Sequence, residues 1–185
     1  GQPVSRERPP QALLVHQANA KVELTLAPAG GTTVTSANGG RATNGRTVVV
    51  TTLADDMPAR YREWVERNRA WVHEKSNGRV GYLHLPDMMS AGFAEFHRYF
   101  GTECDRDALV VDVRYNRGGH VSQLLLEKVA RRRLGYDLTR WGQPEPYPVE
   151  SPAGPVVALT NEHAGSDGDI FSHCFKLMRI GKLVG

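Results

Sequence analysis

Three short apolar runs in the second half of the chain, separated by segments of helical periodicity, constrain the fold more than any other feature. Residues 80–85, 108–113 and 155–160 each have the length and β-type composition of a buried strand. Between them, residues 90–100 bring Phe93, Phe96, His97 and Phe100 to one helical face. Residues 121–134 do the same with Val121, Leu124, Leu125 and Val129, and a proline-rich crossing over residues 143–155 leads to the third run. Strands that alternate with helices need crossover connections, so the expected fold is α/β, a mostly parallel sheet with helices packed against it. Such folds place their sites at the carboxyl ends of strands. That rule selects two loops, residues 115–120 after the second strand and 162–166 after the third. Adjacent parallel strands would bring them side by side.

The preceding residues read differently. Residues 1–54 are expected to form a small separate β unit: Lys21-Val22-Glu23-Leu24-Thr25-Leu26 alternates, and residues 46–53 are rich in β-branched side chains. Turn signals at Gly30-Gly31, Asn38-Gly39-Gly40 and Asn44-Gly45 mark an exposed loop between these strands, and Pro9-Pro10 opens a short helix ahead of them. Asp55-Asp56-Met57-Pro58 is a helix-start signal. Met57, Tyr61, Trp64, Val65, Trp71 and Val72 then recur at helical spacing up to Asn77-Gly78, so residues 55–78 read as a connecting helix with an aromatic stripe turned into the core. Residues 79–185 are the α/β part.

Composition limits the function classes. A chain of 185 residues that is 40% hydrophobic and 23% charged, with a net charge of +3, is globular rather than disordered. Two cysteines, Cys104 and Cys174, are too few for a disulfide framework and fit reduced thiols in a cytoplasmic protein. No apolar run reaches the ~20 residues of a membrane span. The densest basic cluster, Arg131-Arg132-Arg133, lacks the interleaved aromatics of a nucleic-acid surface and sits where cations complement a helix C-terminus. No Cys/His cluster has zinc spacing and no phosphate-binding glycine motif occurs, so neither metal nor organic cofactor is expected. The chain opens on Gly1 without an initiator methionine and stops at Gly185 just after an apolar stretch, so both ends are expected to be cut from something longer.

The chemistry-bearing candidate is Ser166, in Asn161-Glu162-His163-Ala164-Gly165-Ser166-Asp167-Gly168-Asp169. Ile170, Phe171, Cys174, Phe175 and Met178 recur at helical spacing beyond it, which puts Ser166 on a strand-to-helix turn. One reading is a helix N-cap, with an acidic residue three positions on. The other is a nucleophile at a helix N-terminus, where unpaired backbone N–H groups favour a developing oxyanion. The tetrapeptide from Ser166 to Asp169 fits both. Gly118 and Gly119, in Asn116-Arg117-Gly118-Gly119, fit either an ordinary tight turn or a loop whose backbone approaches a substrate closely.

Ala164-Gly165-Ser166-Asp167-Gly168-Asp169, together with Val111-Asp112-Val113-Arg114-Tyr115-Asn116-Arg117-Gly118-Gly119, resembles the catalytic core of the tricorn protease family, which is related to the C-terminal processing peptidases. Gly81-Tyr82-Leu83-His84-Leu85-Pro86-Asp87-Met88 and Ile180-Gly181-Lys182-Leu183-Val184-Gly185 extend the likeness to the whole of residues 79–185. The resemblance implies a ClpP/crotonase-like core truncated at its C-terminal end, and the first 54 residues resemble the second half of a PDZ domain. It also implies a cytoplasmic serine peptidase acting on oligopeptides, in a homo-oligomer of hexameric order, with no part for nucleic acid or membrane. Ser166 would be the nucleophile, the backbone N–H groups of Gly119 and Asp167 the oxyanion hole, and Gly118 a substrate-binding residue. The Asp167 side chain would be incidental to catalysis. Asp137 matches an acidic residue that faces the specificity pocket, where a buried carboxylate would accept a lysine or arginine on the acyl side of the scissile bond. The family's catalytic histidine precedes the PDZ-like unit, so the base would lie outside this chain, with His163 and His173 structural. Three alternatives stay open: a Ser/Lys peptidase of the C-terminal processing type, a crotonase-like acyl-CoA enzyme, and a non-catalytic peptide-binding scaffold.

Overall fold

The computed structural model describes residues 4–26, 34–35, 41–42 and 46–185. The chain divides into two units, Gly1–Arg60 and Tyr61–Gly185. In the first, helix α1 (Pro10–Leu13) precedes strand β1 (Lys21–Leu26), the short pair β2 (Val34–Thr35) and β3 (Arg41–Ala42), and strand β4 (Arg46–Thr51). β1 and β4 form an antiparallel ribbon, Lys21 opposite Thr51 and Leu26 opposite Arg46. The alternating and β-branched runs thus pair with each other as strands do. No described side chain of residues 4–60 is buried. The turn signals at residues 30–31, 38–40 and 44–45 lie outside the described residues.

Helix α2 (Met57–Lys75) begins in the first unit and runs into the second. The Met57 amide donates to Asp55 Oδ1 at 2.9 Å, the cap that the acidic start signal anticipates. At the far end Asn77 (φ 52°) and Gly78 (φ 74°) turn left-handed, and the Gly78 amide returns to the His73 carbonyl at 2.7 Å. The second unit continues as β5 (Val80–His84), α3 (Ser90–Glu103), β6 (Ala108–Asp112), α4 (Ser122–Val129), β7 (Gly135–Asp137), β8 (Glu145–Tyr147), β9 (Val156–Leu159), α5 (Asp167–Leu177) and β10 (Gly181–Val184). Its main sheet has the order β10-β9-β6-β5 and is parallel throughout, as the strand and helix alternation requires.

The register sorts the sheet into two faces. Leu83, Val111, Ala158 and Leu183 form one row across the four strands. This face joins Phe96 and Phe100 of α3, Leu125 and Val129 of α4, and Phe171 and Phe175 of α5 in one apolar core. Each of these six helix side chains is at most 1% exposed. The opposite face carries Tyr82, His84 and Asp112, and α2 meets it through Tyr61, Trp64 and Asn68. Tyr82 donates to Asp112 Oδ2 at 2.7 Å, and the Arg114 guanidinium holds both Asp112 oxygens. Burial also pushes the Cys104 thiol up to about 11, which leaves it an inert core residue.

Several expectations fail, for reasons of geometry. Phe93 is 38% exposed and His97 is exposed, because α3 turns a narrower stripe inward than four apolar positions suggest. In α2 only Val65 is buried; Trp71 is 59% exposed, so the aromatic stripe is not a core stripe along its whole length. α4 ends at Val129 rather than continuing to residue 134. Leu134 is 73% exposed and so has no burial to hold a further turn; its amide joins Tyr147 instead, opening the β7–β8 hairpin, whose second strand lies in the proline-rich crossing. Leu124 is likewise 46% exposed. Arg133 therefore caps no helix; it reaches Asp105 and the Ser151 carbonyl.

His84 is buried with both ring nitrogens engaged. A carbonyl only accepts, so Nε2–H must donate to the Arg114 oxygen at 2.8 Å, and Nδ1 accepts the Tyr61 hydroxyl at 2.9 Å. That fixes a neutral tautomer, and burial holds its pKa below the ordinary 6.5. The unfolded chain takes up the proton first as pH falls. The stabilisation from neutral His84 is thus complete above that ordinary value and is lost as pH drops from it through the folded value. Urea midpoints measured between about pH 7.5 and about pH 5 are expected to fall, and His84→Gln is expected to flatten the slope.

Candidate active site

β6 and β9 are neighbours, with Asp112 opposite Leu159, so the loops that follow them leave the sheet side by side. The Val113 amide still reaches the Leu159 carbonyl at 2.8 Å before the chains turn. Asn161 then ties the two loops: its Oδ1 accepts the Tyr115 amide at 3.0 Å and the His163 amide at 3.2 Å. The Tyr115 and His163 rings stack above this tie, 5.5 Å apart and 15° from parallel.

Asn116 is the second tie. It is fully buried; its Nδ2 donates to the Leu85 carbonyl at 2.9 Å and its Oδ1 accepts the Gly118 amide at 2.8 Å. Its own carbonyl accepts the Gly165 amide at 3.0 Å, next to Ser166. A side chain at Gly168 would strike Asn116, with its Cβ 2.8 Å from Oδ1, so glycine there lets α5 approach this loop.

Gly118 and Gly119 have φ of 77° and 151°, in the region that favours glycine. They run beside residue 88 in an isolated parallel bridge: the Met88 amide donates to the Gly118 carbonyl at 2.8 Å, and the His120 amide to the Met88 carbonyl at 2.7 Å. A bridge of this kind uses the groups on either side of residue 119 and leaves the Gly119 N–H pointing away from Met88. Among the described residues, no backbone carbonyl accepts from it.

Ser166 occupies the N-cap position of α5 but does not cap it, since its side chain makes no hydrogen bond to the helix backbone. Its carbonyl takes the Asp169 and Ile170 amides at 3.0 and 3.1 Å. The residue is exposed and holds φ 56°, ψ −124°, a conformation that costs a non-glycine residue roughly 1–3 kcal/mol. The next amide, that of Asp167, has no backbone acceptor among the described residues. The Asp167 carboxylate is turned inward and only 7% exposed. It accepts the Ser122 amide at 3.1 Å and the Ser122 hydroxyl at 2.5 Å.

Ser166, Asp167, Gly118 and Gly119 therefore converge, with the ideal Cβ of residue 118 only 3.0 Å from Ser166 Oγ. Asp137 lies on the β7–β8 hairpin opposite Glu145, and it is exposed rather than buried. His163 packs on Tyr115, and His173 is exposed on α5. The ties were missed in the sequence. Asn116 had a readable signal, an Asn two residues before a glycine, the pattern of an Asx turn. The contact of Asp167 with Ser122 spans 45 positions and leaves no local trace.

Gly118→Ala would set a Cβ 2.5 Å from Ser166 Cβ at a positive φ, whereas a Cβ at Gly165 meets nothing within 4 Å. Urea unfolding is expected to show a loss of about 1–3 kcal/mol for the first variant and less than about 0.5 kcal/mol for Gly165→Ala.

Comparison with known proteins identifies the family. Residues 79–185 match Peptidase family S41. The chain is 51% identical over its full 185 residues to tricorn protease homolog 1 of Streptomyces coelicolor and spans 16% of that protein. It is 56% identical over 140 residues to the tricorn protease of Thermoplasma volcanium, covering 76% of this chain and 14% of that one. Its structure superimposes on a crystal structure of the tricorn protease with a TM-score of 0.80 at 44% identity, over 92% of this chain and 16% of that chain. The chain thus spans a small part of the length of the relatives it matches, and within that part it belongs to peptidase family S41.

Proposed function

We propose that this chain carries the nucleophile and the oxyanion-binding groups of a serine peptidase of the tricorn type, acting on oligopeptides. The observation that carries the reading is the strained, exposed Ser166, next to Gly118 and followed by the Asp167 amide, which like the Gly119 amide has no backbone acceptor among the described residues. A nucleophile on a sharp strand-to-helix turn presents its hydroxyl clear of the backbone, at the positive end of a helix.

In the proposed reaction Ser166 Oγ adds to the peptide carbonyl while its proton passes to a base. The Gly119 and Asp167 N–H groups stabilise the oxygen that becomes negative, each worth about 3 to 4 kcal/mol. Collapse breaks the C–N bond, the amine leaves with the base's proton, and water then hydrolyses the acyl-enzyme. Gly118 lets the substrate backbone come close, having no side chain. The base is proposed to come from outside these residues: His84 spends both nitrogens inside the fold, and His163 lies on Tyr115. We also propose, on the family resemblance of the sequence, a homo-oligomeric parent of hexameric order and a cytoplasmic location. No helix among the described residues is long and apolar enough to cross a membrane.

In the full-length protein, hydrolysis of a fluorogenic peptide ending in arginine is expected, and Ser166→Ala should lower kcat by about 10⁴-fold or more. Full activity in that variant would refute the assignment. For Asp137, the expected preference for basic residues on the acyl side is modest, because an exposed carboxylate pairs weakly. Asp137→Asn is expected to reduce the ratio of kcat/KM for arginine over leucine peptides by about 10-fold. An unchanged ratio would remove Asp137 from the specificity pocket.

A further inference from the structure

We infer that the Asp167 carboxylate is a positioning residue: with Ser122 it forms a clamp that fixes the spacing of the two amides proposed to bind the oxyanion. The inference rests on the peptidase reading of Ser166 and goes beyond it. Asp167 supplies one of these amides from its own backbone, as the first residue of α5. The other belongs to Gly119, three residues before Ser122, and Ser122 is the first residue of α4. A single buried carboxylate therefore joins the segment carrying one donor to the segment carrying the other.

Three observations make the contact more than a surface pairing. Both partners are buried, Asp167 at 7% and Ser122 at 4% exposure. Both carboxylate oxygens are used, Oδ2 by the Ser122 amide at 3.1 Å and Oδ1 by the Ser122 hydroxyl at 2.5 Å, so the group is held against rotation. Finally, α4 has no side-chain cap of its own, its N-cap being Val121. The first amide of α4 would be an orphan, and the carboxylate of a different helix satisfies it at the positive end of the dipole.

Other ties hold the same loops at different places. Asn116 joins residue 118 to Leu85, and its carbonyl takes the Gly165 amide, while Asn161 joins residues 115 and 163. These fix the approach to Ser166. Among the described residues, the Asp167 to Ser122 contact is the hydrogen-bonded link between the two helix starts. Loss of the carboxylate leaves the backbone donors in the sequence but frees their separation, and misplacement of reacting groups by about 1 Å costs roughly 10²-fold in rate. The loss should fall on the transition state, because an oxyanion exists only there.

The test uses the full-length protein and compares Asp167→Ala, Asp167→Asn, Ser122→Ala and Ser166→Ala. Steady-state hydrolysis of an arginyl fluorogenic peptide is measured beside inhibition by the matching peptide aldehyde, whose hemiacetal oxygen mimics the oxyanion. Asp167→Ala is expected to lower kcat by about 10- to 100-fold, with KM within about 2-fold, and to raise the aldehyde Ki in proportion to the loss of kcat/KM. Asp167→Asn keeps an acceptor for the Ser122 amide, and its NH2 donates to the hydroxyl, so it should recover most of the loss. Ser122→Ala should show a smaller fall of the same kind, and it decides the matter alone if Asp167→Ala does not fold. Unchanged kcat and aldehyde Ki in Asp167→Ala or in Ser122→Ala, with Ser166→Ala inactive, overturns the clamp and leaves the peptidase reading standing. A fall in kcat with unchanged aldehyde Ki overturns it too. Full activity in Ser166→Ala overturns both.

Discussion

Parallel pairing of β6 with β9 is the constraint on which the candidate site depends. With Asp112 opposite Leu159, both chains leave the sheet at the same end and at the same height, so residues 113–119 and 160–166 have no route except past each other. Antiparallel pairing would send one of these loops to the far end of the sheet. The crossover helices α3, α4 and α5 cover one face of the sheet and α2 covers the other, and the buried side chains hold the register that sets the loops.

The two faces of the sheet are built by different physics. The face toward α3, α4 and α5 is apolar, and its aromatic and aliphatic side chains are almost wholly removed from water. The face under α2 carries Tyr82, His84 and Asp112, whose burial is tolerable because each polar atom is matched: hydroxyl to carboxylate, guanidinium to carboxylate, imidazole to hydroxyl and carbonyl. Arg114 belongs to this network and begins the loop toward Gly118 and Gly119. The polar face thereby fixes where that loop departs.

Local strain at Ser166 persists because its surroundings over-determine it. Gly165 is tied to Asn116, the Ser166 carbonyl is spent on the first turn of α5, and Asp167 is anchored to Ser122. A serine with a simple capping role would turn its hydroxyl to the helix; this one makes no such bond, and its Oγ lies beside Gly118. The tetrapeptide fits both a cap and a nucleophile, and it makes no side-chain cap here because of a backbone conformation that no count of residue types contains.

Hydrophobic period and turn chemistry were sufficient for the main alternation of strands and helices. β1, β5, β6, β9 and α5 lie where their patterns put them, and the alternation of strands and helices made a parallel sheet the natural outcome. The loops that bear Gly118, Gly119 and Ser166 followed from that order and from the rule that places sites at strand ends. Period did less well where burial was partial: Leu124, Phe93 and Trp71 have apolar side chains on helical faces and still face water, because a helix buries only the width that its neighbour covers. The β7–β8 hairpin escaped because each strand is three residues long and β8 carries a proline. Short-range pattern thus determined what the chain builds and in which order. Tertiary structure alone decided the rest: the exposure of Asp137, the burial of Asn116, and the inward turn of the Asp167 carboxylate toward Ser122. Each depends on a neighbour tens of positions away or on the surface left uncovered, and a linear pattern carries neither.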